Sequence, residues 1–86
     1  MNAPEPRAKF HVKKFLRGKV FIIDLDQSVS VTNDAEAVCR WLHERCQGRR
    51  IIYRDTEGRW DELKHTLGVF TGFAPYNEYL PKELQQ

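Results

Sequence analysis

The stretch from Val29 to Leu63 constrains this chain most, because it delivers one amphipathic helix straight into a tight β-hairpin. Thr32 and Asn33 are residue types that cap helix N-termini, and Asp34 and Glu36 follow in the first turn, where the helix dipole favours negative charge. Val38, Trp41, Leu42 and Arg45 then recur at helical spacing, one apolar stripe ended by an arginine whose stem can lie along it. Gly48 is placed to stop the helix. RIIYR and RWDEL flank Asp55-Thr56-Glu57-Gly58, which suits a type I turn closed by a left-handed glycine. Thr66-Leu67-Gly68 offers a further turn before VFTGF.

Upstream, KFHVKKF and KVFIIDLD are rich in β-branched and aromatic residues, with Gly18 between them. A two-residue turn at Arg17-Gly18 sets Phe10 opposite Leu25, Val12 opposite Ile23 and Lys14 opposite Phe21. That register gathers Phe10, Val12, Phe21, Ile23 and Leu25 on a core face and leaves Phe15, Val20 and Ile22 on the other. Arginine is not a favoured residue for the first position of such a turn, so a longer loop is the alternative. The expected fold is α+β: an antiparallel sheet of about five strands in the order ββ-α-βββ, with one helix packed on one face. Val38, Trp41 and Leu42 should meet that core face together with Ile51 or Tyr53 and Leu63.

At 86 residues the chain makes one domain, its core small but sufficient. Residues 1–8, with two prolines, read as a flexible arm, 9–73 as the folded body, and 74–86 as a tail whose Tyr76, Tyr79 and Leu80 lie on the body. A net charge of +2 is near neutral, short of the dense basic surface that phosphate-backbone binders carry. No apolar run approaches the roughly 20 residues that cross a bilayer, and the N-terminus lacks a secretory apolar segment. A cytoplasmic protein with reduced Cys39 and Cys46 and no membrane partner is the expectation.

VFIIDLDQSV resembles the first motif of haloacid-dehalogenase-like phosphatases, where one Asp attacks phosphorus and the next acts as acid and base. That chemistry also needs a lysine and further carboxylates from a large parallel sheet, so Asp24 and Asp26 read as structural. Cys39, His43 and Cys46 share one side of the helix and are zinc-ligand types. No second ligand-bearing segment accompanies them, and the expectation is no metal, no cofactor and no catalytic residue.

Two surfaces remain. Apolar Phe15, Val20 and Ile22, flanked by Lys13, would form a flat patch of the kind that contacts a partner protein or a second copy of the chain, unless the tail covers it. Lys13, Arg17, Arg49, Arg50 and Arg54 would form the binding surface of the alternative, a nucleic-acid module, although no sequence signature of such modules is present.

VSVTNDAEAV, GRRIIYRDTEGRWDEL and FTGFAPY together resemble a recurrent small protein of tailed phages and prophages, over about the second two-thirds of the chain. The resemblance implies a small accessory protein working in a bacterial host cytoplasm. The function expected is therefore non-enzymatic: phage-encoded binding and modulation of a host protein.

Overall fold

The computed structural model describes residues 3–85 and leaves the side chains of residues 14–16 outside that description. Five strands form one sheet in chain order: β1 (Phe10–Leu16), β2 (Lys19–Asp24), β3 (Arg50–Arg54), β4 (Trp60–Thr66) and β5 (Val69–Pro75). One helix, α1 (Ala35–Arg45), follows β2, so the fold is α+β in the expected ββ-α-βββ order. The sheet is mixed, however. β1–β2, β3–β4 and β4–β5 pair antiparallel, whereas β2 and β3 run parallel. The helix is the reason: it carries the chain back along the sheet, so β3 starts at the same end as β2.

Turn chemistry follows the sequence closely. Arg17 and Gly18 form the two-residue β1–β2 turn, with φ of 51° and 75°, the left-handed pair that matches strand twist. Leu67 and Gly68 do the same between β4 and β5. Between β3 and β4, Gly58 is left-handed and the Asp55 side chain accepts from the Glu57 and Arg59 amides.

The register of the first hairpin departs from expectation. Near the turn Phe15 pairs with Val20, as foreseen, but Val12 pairs with Ile22 and Phe10 with Asp24. Lys13 and Lys14 therefore both oppose Phe21, a β-bulge that adds one residue to β1 and flips its outer half to the other face. Phe10 and Val12 thus share a face with Val20 and Ile22, while Phe21 and Ile23 point the opposite way. Leu25, expected in the core, is 63% exposed beyond the end of β2.

Both faces of the sheet are covered. On one side Val20, Ile22, Ile51, Tyr53 and Leu63 pack against Val38, Cys39 and Leu42 of α1, with Phe10, Val12 and Trp41 at the margin. Phe10 meets Trp41 edge to face at 6.0 Å. On the other side Phe21 and Ile52 lie under Tyr76 and Leu84 of the tail, with Ile23, Trp60 and Leu80 around them. Phe21 touches Trp60 and Tyr76 at 5.8 and 6.1 Å, both edge to face. Within the tail Tyr76 and Leu84 are buried, whereas Tyr79 is more than half exposed.

Residues 3–8 are not a loose arm. Ala3, Pro6 and Ala8 are buried, the Ala3 amide donates to Glu44 at 2.8 Å, and the Arg7 and Ala8 amides donate to Asp34 Oδ2 at 2.7 and 2.9 Å. That contact also explains the start of α1. Thr32 to Asp34 form a 3-10 turn, and Asp34 stands at the cap position without capping its own helix because its carboxylate serves the arm. Asp34→Ala should cost roughly 1–2 kcal/mol through the two orphaned amides. Limited trypsin digestion should then cut after Arg7 faster than in the wild type, and unchanged cleavage there would refute the anchoring role.

Candidate functional site

The residues expected to contact a partner do not form a surface. Val20 and Ile22 are fully buried beneath α1, because the β1 bulge and the parallel β2–β3 pairing turn them toward the helix. The Phe15 side chain lies outside the described residues. Lys13 is exposed at the bulge with no apolar patch from Val20 and Ile22 beside it.

The arginines of the alternative reading are each engaged within the fold. Arg50 is held by two carboxylates: its guanidinium donates to Glu62 at 2.9 and 2.7 Å and to Glu78 at 3.1 and 2.6 Å. These bonds push Arg50 up, and the Arg50 bond holds the Glu62 carboxyl below its usual range against the opposing effect of burial. Lys19 approaches Glu78 at 3.6 Å as well, so the network clamps the tail over the Phe21 face. Arg17 stacks over Tyr79 at 5.6 Å and Arg54 over Trp60 at 5.8 Å. Arg49 donates to the Cys46 carbonyl at 2.9 Å. Each of these four arginines has a structural partner, and Arg50 and Arg54 stand at opposite ends of β3.

Cys39 and Cys46 are core residues. Burial alone raises the Cys39 thiol to about 12, and burial also raises Cys46 against the opposing pull of Arg49. Neither is a ready thiolate, the form that binds metals or attacks electrophiles. Among the described residues no group of three His, Cys, Asp or Glu side chains is placed to hold a metal ion. His43, the third member of that trio, instead faces His65 of β4, ring centroids 5.6 Å apart.

Asp24 has structural work. Tyr53 donates its hydroxyl to Asp24 Oδ2 at 2.9 Å, and the Val31 amide points at the same oxygen at 3.4 Å. Burial, more than the Asp24 contact, pushes the Tyr53 hydroxyl up to about 12, so it stays a proton donor at neutral pH. Asp26 accepts from the Ser28 amide and shapes the turn after β2. Both acids of the phosphatase-like string thus serve local structure.

What is exposed and apolar lies elsewhere. Leu67 is 81% exposed in the β4–β5 turn, and Val69 and Phe73 of β5 are 59% and 41% exposed. β5 is an outer strand, so among the described residues its far edge carries no partner strand. Its seven residues, VFTGFAP, include no charge, whereas the opposite outer strand β1 carries His11, Lys13 and Lys14. Lysines are a usual guard on sheet edges, and β5 lacks them. Phe73 is steadied by Phe70, whose ring lies 5.1 Å away edge to face. Sequence inspection passed over these residues because VFTGF reads as an ordinary core strand. The absence of any charge across an end strand was the available signal.

No helix in the described residues is long and apolar enough to cross a membrane. Comparison with known proteins returned no matching family model, no matching curated protein and no matching solved structure.

Proposed function

We propose that this chain is a non-enzymatic binding protein whose contact surface is the β4–β5 hairpin, through Leu67, Val69 and Phe73. The observation that carries the reading is the exposure of Leu67 in the β4–β5 turn and of Val69 and Phe73 along an outer strand that holds no charged residue. Val69 pairs with Thr66 and Phe73 with Leu63, on opposite faces of the hairpin, so the exposed apolar groups line its edge and tip; such groups on an otherwise polar domain commonly mark protein contacts. The backbone argues for contact through side chains more than continuous strand addition. Thr71 is an extra residue that breaks the β4–β5 ladder, Gly72 has φ of 146°, and Pro75 lacks an amide to donate. The resemblance of residues 29–76 to small tailed-phage proteins supports a bacterial host protein as the partner and modulation of that protein as the outcome.

The test is affinity capture from bacterial lysate with wild type and three exposed-site variants. Leu67→Asp and Val69→Asp should each lower capture of the partner at least tenfold, while Leu25→Asp, on the far side of the sheet, should leave it intact. All three positions are solvent-facing, so thermal midpoints should barely move. Equal capture by all four proteins sinks the assignment. A concentration-dependent dimer abolished by Val69→Asp would replace the host protein with a second copy of this chain.

A further inference from the structure

We propose that His65, with His43 against it, forms a proton-operated latch that ties the β4–β5 turn to the C-terminal end of α1 and releases the turn on protonation. The device belongs to the fold and stands independently of which partner the hairpin contacts.

The geometry is specific. His65 Nδ1 accepts the Gly68 amide at 3.1 Å, closing the turn onto its own strand. With Nδ1 accepting, the proton of the neutral ring sits on Nε2, and the main chain of Arg49, which leads into β3, favours a proton on the ring. Nδ1 can accept the Gly68 amide only while the ring is neutral. A proton on Nδ1 removes the acceptor and sets two donors face to face. His43 tightens the arrangement from the helix. A Cβ built on Gly68 would stand 3.0–3.1 Å from the His43 ring, and one on Gly48 would stand 3.4 Å away. The His43 Nδ1 atom is buried with no hydrogen-bond partner among the described residues.

The charged and titratable groups facing His65 are His43 from α1, Arg49 ahead of β3, and Glu62 and Lys64 from β4 itself, while β5 has none. Burial first, then His43, hold His65 below its ordinary 6.5, outweighing the opposite influences of the Arg49 bond and Glu62. The unfolded chain therefore takes up the proton more readily than the folded one. The latch is fully stabilising above about pH 6.5 and is lost as pH falls through the folded value.

Amide NMR spectra recorded from pH 7.5 to 5 test this. The Gly68 amide should shift with the same midpoint as the His65 ring and lose its protection from solvent exchange. His65→Asn keeps an acceptor near the Nδ1 position but takes up no proton, so in that variant the Gly68 amide should stay fixed across the range. A Gly68 amide indifferent to His65 titration overturns the proposal, as does a variant that responds like wild type. Should the variant fail to fold, ring nitrogen shifts of the wild type at high pH decide: an unprotonated Nδ1 supports the latch, a protonated one refutes it.

Discussion

Ile22→Asp is expected to weaken folding severely or abolish it, where an exposed site would tolerate the same change. Ile22 is fully buried at the centre of the sheet, paired to Val12 on one side and Tyr53 on the other and covered by α1. The substitution removes a buried apolar side chain worth about 1.5–3 kcal/mol and inserts a carboxylate with no cation beside it. Together these effects are on the order of 4–5 kcal/mol. A domain of this length is stable by roughly 4–13 kcal/mol, so the loss consumes between about a third and all of it. Urea unfolding followed by circular dichroism should show no folded baseline, or a midpoint displaced far to low denaturant. A well-folded Ile22→Asp protein would mean that the helix does not cover this face.

Arg50→Ala should produce the second large effect, through the residue it abandons. Glu62 is buried, and its two oxygens accept from the Arg50 guanidinium. Removing one member of a buried pair typically costs about 3–5 kcal/mol, which partial exposure of Arg50 should reduce to roughly 2–3 kcal/mol. The tail weakens too, since Glu78 loses its main anchor over Phe21 and Ile52. Arg50→Ala/Glu62→Leu should recover much of the loss by removing the stranded charge. The pH response carries its own sign. Glu62 lies below its ordinary 4.5 in the fold, so its contribution is complete above that pH and declines as pH falls through the folded value. In Arg50→Ala that acid-side decline should shrink or invert. A double variant no more stable than the single one would show that Glu62 was never the source of the penalty.

The helix, its glycine stop and all three hairpin turns were legible because each depends on a few adjacent residues with restricted backbone conformations. Arg17-Gly18 and Asp55 to Gly58 are of that kind. Which way β1 and β2 face was not legible by counting from the turn, because the bulge at Lys13 and Lys14 leaves no local mark. The sequence nonetheless contained a corrective. Val20 to Ile23 and Ile51 to Tyr53 are unbroken apolar runs, without the alternation of a strand that is wet on one side. Such runs belong to strands covered on both faces, often with a parallel neighbour, and β2 and β3 are those strands. Reading them so would have placed both Val20 and Phe21 inside, and with them the tail. The outer hairpin was missed for the converse reason: β5 looks like core, and only its terminal position in the sheet exposes it.

The parallel pairing of β2 with β3 has a consequence for how the chain finds this arrangement. Every other pair of neighbouring strands closes across a short reverse turn, while β2 meets β3 only after the segment from Leu25 to Arg49 has been gathered in. Bringing those ends together carries an entropic penalty of roughly 3 kcal/mol on a logarithmic loop law. The two-stranded β1–β2 hairpin is marginal in water by itself, and neither it nor β3–β5 has a covered face until that happens. One long-range encounter, bridged by a single rod, thus gives both halves their shared interior.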